Sequence, residues 1–302
     1  MNKSTFVKGG TKRLPLVKPL RKVVQNIFNY NNCAKILLYI YIYRMYQTIL
    51  IGTNTFYSNW LESVKKINKY NIILIDFSDS ELLKKTIAEK KIKYILPLSD
   101  IDYTKIMSYK FKDITILYPN KETHELLHNK LLFTKFMMKP FNEFLPTVYY
   151  LDNKKIKDIE YPVISKPIYS ANGINMKIYK NDTEFSQCKD KTIIQKFVAD
   201  PYEYAAYILC INGNIKTWKI IRFKFEKFHI KTSNFPKNYE TVNNIDIKIF
   251  EKLMKNLKYT GGTCINFKYN TTTKKIDIFE LNPRFGGSAF TNNFIYELLC
   301  IN

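Results

Sequence analysis

The segment I-D-I-F-E-L-N-P-R-F-G-G-S, residues 276–288, carries the most informative pattern in this sequence. Its apolar start predicts a strand that ends around Glu280 and Asn282, whose side chains face the same side because they are two residues apart. A carboxylate and an amide oxygen placed together suit Mg²⁺, which prefers oxygen ligands and phosphate. Arg284 follows a proline that stiffens the turn and can pair with phosphate oxygens, and the next two glycines permit close backbone approach. The stretch therefore predicts a site for magnesium and a phosphate-bearing ligand.

A lysine at the end of an earlier strand fits the same ligand. Y-P-V-I-S-K-P at 161–167 predicts a buried strand with Lys166 at its end. An ammonium group in that place is costly unless an anion meets it. The loop S-A-N-G at 170–173, which contains Gly173, can offer backbone N–H groups to phosphates.

A third segment has the features of a nucleoside site. I-I-Q-K-F-V at 193–198 predicts an apolar strand that breaks at the Asp200-Pro201 pair. Unpaired backbone groups at such a strand end can pair with an adenine edge, and Glu203 can accept the ribose hydroxyls. The alternative interpretation is a plain strand and turn.

Taken in order, these segments resemble the ATP-grasp superfamily, in its carbamoyl-phosphate-synthetase-like and biotin-carboxylase-like branches. E-L-N-P-R-F-G-G-S resembles the metal and triphosphate motif, and Y-P-V-I-S-K-P resembles the strand that carries the ATP lysine. I-I-Q-K-F-V followed by Glu203 resembles the adenine hinge and ribose acid. H-N-K-L-L-F-T-K at 128–135 resembles the helix whose basic residue, here Lys130, reaches the phosphates. The order and spacing hold across residues 46–302.

The resemblance implies a fold, α/β and α+β, in which a small Rossmann-like pre-ATP-grasp domain precedes a two-lobed ATP-grasp fold. It implies ATP and Mg²⁺ (or Mn²⁺) as cofactors. The site residues it implies are Lys130, Lys166, Gly173, Gln195, Lys196, Phe197, Val198 and Glu203 for the nucleotide, Glu280, Asn282 and Asn266 for the metal, and Arg284 and Arg222 for catalysis. Arg222 is the weakest of these, since a solvent-facing arginine explains it equally well.

The reaction implied by the resemblance is the ligation of a carboxylate to an amine or thiol through an acylphosphate. Two departures favour an alternative, an ATP-binding protein without ligase activity. The glycine-rich loop is reduced to Gly173. The second metal position, fourteen residues before Glu280, is Asn266, where many relatives carry an acid.

The hydrophobic pattern predicts the domain order. Residues 1–45 are predicted to form a basic N-terminal extension, for which disorder is one interpretation. Residues 46–119 alternate apolar strands with helices, one of them at 56–67, which predicts a parallel sheet covered on both faces. Residues 120–302 form the ATP-grasp domain, with lobes at 120–192 and 193–302.

Composition limits the class of partner. The 302 residues carry a formal charge of +22, which suggests nucleic acid or a phosphate-rich ligand as partner. Arginine is scarce, however, and the abundance of Lys, Asn, Ile, Tyr and Phe fits AT-rich codons. We therefore expect small-molecule carboxylate and amine substrates, no nucleic acid as main partner, no membrane anchor and, as one possibility, a homodimer. The five cysteines form no C-x-x-C pair, which favours a reducing, cytoplasmic location.

A competing motif lies in H-E-L-L-H at 124–128, which matches the zinc-protease pattern H-E-x-x-H. On a helix, His124 and His128 share one face and can bind Zn²⁺, with Glu125 as general base. The motif needs a third ligand, and His229 is distant in sequence. A zinc metalloprotease is thus the remote alternative.

Overall fold

The computed structural model describes residues 48–52, 71–170, 173–225, 238–286 and 289. All of them belong to one unit, Thr48–Asn302. The predicted extension at 1–45, the predicted helix at 56–67, His229 and Gly287 lie outside the described residues. The domain boundaries after residues 45 and 119 stay predictions.

The first sheet is parallel throughout, as the alternating pattern predicted. Its strands, in spatial order, are β2 (Asn71–Ile75), β1 (Thr48–Gly52), β3 (Ile92–Leu96) and β4 (Thr115–Ile116).

Two helices connect these strands. Helix α1 (Ser80–Glu89) begins after Asp79, whose carboxylate accepts a hydrogen bond from a backbone N–H of the first turn. Helix α2 (Asp100–Met107) begins after Ser99 in the same way and was not predicted. Its first turn places Asp100 beside the carboxyl end of β3.

The second sheet is antiparallel. Its central strand, Ile193–Lys196, is hydrogen-bonded to Val148–Leu151 on one side and to Val163–Ser165 on the other. The predicted lobe boundary at residue 192 stays a prediction. The spatial order is β6 (Lys154–Lys155), β5 (Val148–Leu151), β9 (Ile193–Lys196), β7 (Val163–Ser165) and β8 (Lys177–Tyr179).

The third sheet is the largest and is also antiparallel. Asn212 and Gly213, at φ 51° and 74°, form the tight turn between its two longest strands, β10 (Tyr202–Ile211) and β11 (Asn214–Lys224). The spatial order is β12 (Asn238–Val242), β11 (Asn214–Lys224), β10 (Tyr202–Ile211), β13 (Gly261–Tyr269) and β14 (Ile276–Asn282).

The remaining helices pack around the last two sheets. The stretch predicted as one helix or two short ones is two, because Asn129 ends the first and caps the second. No helix in the described ranges is long and apolar enough to cross a membrane. These helices are α3 (Lys121–His128), α4 (Lys130–Met137), α5 (Asp182–Ser186) and α6 (Lys248–Leu257).

The two faces of the third sheet bury different cores. On one face, Ile265 and Ile278 pack with Phe250 of α6. On the other face, Tyr207 and Cys264 pack with the first sheet. Because strand side chains alternate between faces, a residue's neighbours show which face it occupies.

Candidate functional site

Strand β14 ends where the sequence predicted and carries two polar side chains on one face. Leu281 is buried on the face of the third sheet that packs against α6. Glu280 and Asn282, its neighbours on the strand, therefore point to the other face. Glu280 lies directly opposite Asn266 of β13. The three predicted metal ligands are thus neighbours across one strand pair.

Lys130 meets this carboxylate from helix α4. Its Nζ lies 3.1 Å from Glu280 Oε1, with the lysine side chain 9% exposed and the glutamate 25% exposed. Asn266 Nδ2 donates a hydrogen bond to the other oxygen, Oε2, at 3.1 Å. Lys130 also donates to the carbonyl oxygen of Ser170 at 2.8 Å. The ion pair joins the start of α4 to the end of β14, and the hydrogen bond to Ser170 adds the loop after β7.

The surroundings keep Glu280 ionised. Burial by itself raises the pKa of this carboxyl. The ammonium of Lys130 and hydrogen bonds from Lys130, Asn266 and Asn282 outweigh burial and hold the pKa below its usual value. A carboxylate that stays charged in a partly buried place is a suitable ligand for a divalent cation.

Lys166 follows β7 and is buried near the same carboxylate. Its Nζ donates to the carbonyl oxygen of Phe279 at 3.4 Å. Burial lowers the pKa of Lys166 to about 8, which the charge of Glu280 partly offsets and that of Lys130 reinforces. Two ammonium groups thus lie beside one carboxylate, an arrangement that a polyphosphate would complete electrostatically.

Glu203 and Lys268 form the next part of the site. Glu203 is buried in β10, and its charge acts on both Lys166 and Lys268. Lys268 donates at 2.8 Å to the carbonyl oxygens of Asp200 and Tyr202. Lys268 was not predicted as a site residue. Its position two residues after Asn266 on β13, hence on the same face, is the signal that identifies it.

The predicted adenine hinge is the end of β9, and several of its polar groups are already bonded. Lys196 Nζ donates to two carbonyl oxygens of the loop before β7, each at 3.1 Å. The N–H of Phe197 donates to a carbonyl of the same loop at 3.0 Å, and the Val198 carbonyl accepts from the N–H two residues on. Gln195 is 1% exposed, and within the described ranges its Oε1 has no hydrogen-bond partner. Gln195 Oε1 is therefore a buried hydrogen-bond acceptor that no described residue satisfies.

Gly173 is in the left-handed region, at φ 71°. Its carbonyl accepts from Met176 N–H at 3.2 Å, which closes a turn before β8. The two residues before it lie outside the described part of the chain. No contact among the described residues brings Gly173 to the Lys130–Glu280 pair.

Arg284 points toward the first sheet. Its Nε lies 3.7 Å from Asp100 Oδ2, and its Nη1 donates to the Phe285 carbonyl at 3.3 Å. Asp100 was not predicted as a partner, because it comes from a helix far away in sequence. Arg284 therefore lies just after β14, as predicted, but its guanidinium contacts Asp100.

Arg222 is separated from the cluster. It stacks over the Tyr202 ring, with its guanidinium carbon 4.5 Å from the centroid, and it forms an ion pair with Glu240. Its neighbour Ile221 packs with the first sheet. Arg222 therefore lies on the opposite face of the third sheet from Glu203 and Asn266. Its catalytic role stays a prediction that this placement does not support.

Comparison with known proteins identifies the fold. The L-amino acid ligase from Bacillus licheniformis superposes with a TM-score of 0.51 at 14% identity, covering 83% of this chain and 70% of the ligase. A pyruvate carboxylase from Rhizobium etli gives 0.50 at 12% identity and covers 84% of this chain and 27% of that protein. At such identities the likeness shows the fold alone. No curated protein matches the sequence. The family model of the ATP-grasp domain matches residues 127–288, more than half of the chain, and the chain belongs to that family.

Proposed function

We propose that this protein uses ATP to activate a small-molecule carboxylate and joins it to an amine or thiol. The observation that carries the proposal is the cluster of Lys130, Lys166, Asn266 and Glu280. Two buried cations lie beside an ionised carboxylate where the motif strand ends. Membership of the ATP-grasp family supports ATP as the ligand of this cluster.

The nucleotide is proposed to lie along the cluster and the end of β9. Lys130 and Lys166 bind the phosphates. Among the described residues, the Lys166 ammonium donates to the Phe279 carbonyl oxygen and lies 5.6 Å from the centroid of the Phe279 ring. The segment 195–198 faces the adenine, and Glu203 accepts the ribose hydroxyls. Gly173, whose backbone is in the left-handed region, is proposed to line the phosphates.

The donor set fits a magnesium ion. Glu280, Asn266 and Asn282 supply one carboxylate and two amide oxygens, the ligand class that Mg²⁺ prefers. The ion, or Mn²⁺ in its place, would neutralise phosphate charge. Glu280, which now pairs with Lys130, would hold the ion through its carboxylate, and Lys130 would then be free to bind a phosphate oxygen. Asn266, which now donates a hydrogen bond to Glu280, would offer its amide oxygen to the ion.

The chemistry proposed has two steps. A substrate carboxylate oxygen attacks the γ-phosphorus of ATP, which breaks the bond to ADP and forms an acylphosphate. The amine or thiol then attacks the acyl carbon, loses its proton, and inorganic phosphate leaves. This chain's residues position and neutralise charge in both steps. Arg284 is proposed to exchange its contact with Asp100 for the transferring phosphoryl group.

A second candidate function is ATP binding without ligation. The specific observation in its favour is Asn266, which supplies a neutral amide and presently donates its N–H to Glu280. A second metal ion would gain less from an amide oxygen than from a carboxylate.

A cytoplasmic location and a homodimer are also proposals.

Phosphate release separates the two candidates. Both predict that Mg-ATP raises the melting temperature of the protein. Only the ligase releases inorganic phosphate from ATP when a pool of carboxylates and amines is added, with release dependent on both. ATP binding without phosphate release across a broad metabolite pool would favour the second candidate. No thermal response to Mg-ATP would contradict both.

A further inference from the structure

A cluster of metal-binding side chains lies outside the proposed nucleotide site. Asp100 of α2 and His124 and His128 of α3 each present one ligand atom, and these atoms lie within 4.8 Å of one another. His124 is mostly buried, with its side chain 17% exposed, and Asp100 is 42% exposed. The sequence indicated the two histidines but not the carboxylate, which comes from a helix that was not predicted.

The fold explains why the three side chains meet. His124 and His128 are four residues apart and therefore share one face of α3. Their rings stack with centroids 5.5 Å apart and planes 12° apart. Asp100 lies in the first turn of α2, after the Ser99 cap. The three ligands thus come from two helices, each with its own cap.

Tyr118 holds two members of the cluster in place. Its hydroxyl donates to Asp100 Oδ1 at 2.7 Å and lies 3.2 Å from His124 Nδ1. Tyr103 stacks on Tyr118 with ring centroids 4.1 Å apart and lies 5.2 Å from the His124 ring. A ligand's outer partners orient its lone pair, and a buried tyrosine that bonds to two ligands does this here.

The donor set selects the kind of ion. Two imidazoles and a carboxylate, with a position left for water, are a common zinc set, whereas Mg²⁺ and Ca²⁺ prefer oxygen ligands only. Tetrahedral zinc places ligand atoms about 3.4 Å apart. Rotation of the exposed His128 side chain can supply the approach that closure needs.

We propose that Asp100, His124 and His128 form a binding site for Zn²⁺ or a similar borderline transition-metal ion. The site is separate from the magnesium ligands on β14, and the proposal is one of metal binding rather than peptide hydrolysis. Glu125, the general base in the zinc-protease pattern, instead accepts a hydrogen bond from the Tyr169 hydroxyl at 2.9 Å.

Arg284 gives the proposal a distinctive consequence. Its Nε lies 3.7 Å from Asp100 Oδ2, so the guanidinium and a metal ion compete for the same carboxylate. Removing the guanidinium frees Asp100 for the metal. A partly exposed ion pair of this kind is worth about 0.2–1 kcal/mol. We therefore expect Arg284→Ala to tighten zinc binding by about 1.4- to fivefold.

Titration of the full-length, metal-free protein tests the site. Calorimetry measures Zn²⁺ binding at neutral pH in the presence of excess Mg²⁺. In a separate titration, the visible absorption spectrum of bound Co²⁺ is recorded. We expect one zinc ion per chain and a tetrahedral Co²⁺ spectrum. His128→Ala and Asp100→Asn should weaken zinc binding about tenfold or more. Glu125→Gln is the matched control, since it removes a charge from the same helix without removing a ligand.

Several results would overturn the proposal. The proposal is wrong if the wild-type chain does not bind Zn²⁺. It is also wrong if His128→Ala leaves the zinc affinity unchanged, because the ion would then be bound by cysteines or at another place. His128 is exposed, so thermal unfolding of the metal-free variant should match wild type and exclude misfolding. Zinc binding that Arg284→Ala weakens would contradict the shared role of Asp100. None of these results depends on ATP binding.

Discussion

Lys130 and Glu280 form a partly buried ion pair, with Nζ and Oε1 3.1 Å apart, between the first turn of α4 and the end of β14. Each partner satisfies the other's charge, so the chain avoids the cost of an unpaired ion. In the proposed function, a polyphosphate and a divalent cation would give each partner a new counter-charge. This exchange is the basis of the predictions on nucleotide binding.

Glu280→Gln should weaken binding of Mg-ATP but strengthen binding of metal-free ATP, because loss of the carboxylate frees Lys130 to pair with a phosphate oxygen. The substitution removes the only charged group among the proposed magnesium ligands but keeps its shape. Loss of one charge-assisted contact costs about 1.5–3 kcal/mol, or about 10- to 100-fold in affinity. Calorimetric titration with and without Mg²⁺ measures the effect.

Asp277→Asn is the matched control for Glu280→Gln. Asp277 lies on the same strand but pairs with Lys275 at 2.7 Å. We expect its Mg-ATP affinity to remain within about twofold of wild type. Equal losses in the two variants would mean that the strand, and not the Glu280 carboxylate, was disturbed.

Lys166→Met should stabilise the ligand-free protein while it weakens ATP binding. Burial lowers the pKa of Lys166 from 10.5 to about 8, and that difference corresponds to about 3 kcal/mol as an upper bound. Below pH 8 the folded chain bears this cost in full. Between about 8 and 10.5 the unfolded chain binds more protons, so wild-type stability rises with pH. The advantage of the variant should therefore shrink across that range.

Chemical denaturation at several pH values measures this difference in the free energy of unfolding. Lys196→Met is a useful control, because Lys196 also donates only to backbone carbonyls but is less deeply buried. A Lys166→Met variant that is less stable than wild type at neutral pH would contradict the claim that the buried Lys166 ammonium destabilises the ligand-free protein.

Much of this site could be predicted from sequence, for a physical reason. The positions of Glu280 and Asn282 depend on strand alternation, and that of Lys166 on the end of a short apolar run. Both are local properties. The two-helix interpretation of 121–139 was also available, because Asn129 is a good cap for the second helix.

The remaining features depend on tertiary packing. The contact between Asp100 and Arg284 joins two elements far apart in the chain, and α2 is a short helix with a weak apolar pattern. The assignment of β9 to the second sheet depends on hydrogen bonds with β5 and β7, which no local pattern encodes. The face occupied by Arg222 depends on the β10–β11 register, which shifts at a bulge between Leu209 and Cys210 that no local pattern encodes.

Arg222→Ala should leave ATP affinity and any ligase rate within about threefold of wild type, since Arg222 lies on the opposite face of the third sheet. Arg284→Ala should lower the rate about 100-fold or more, because its guanidinium is proposed to bind the transferring phosphoryl group. Phosphate-release assays on the two variants compare them directly. The reverse order of effects would restore the sequence-based role of Arg222 and remove that of Arg284.

Gly261→Ala should destabilise the fold without a direct effect on the site. Gly261 has φ 131°, and a Cβ there would lie 2.8 Å from the Leu117 carbonyl oxygen and from the Tyr118 backbone. Backbone atoms cannot move aside cheaply, so we expect a loss of about 1–3 kcal/mol. Thr271→Ala, in the exposed turn after β13, is the control. Equal unfolding free energies for both variants would contradict the close contact between β13 and the segment after β4.

A crystal structure with Mg²⁺ and a non-hydrolysable ATP analogue tests the central claim most directly. We expect the triphosphate between Lys130 and Lys166, the metal in contact with the Glu280 carboxylate, and the ion pair between Lys130 and Glu280 broken. Nucleotide bound elsewhere, or an intact ion pair in crystals whose nucleotide is fully ordered, would contradict it.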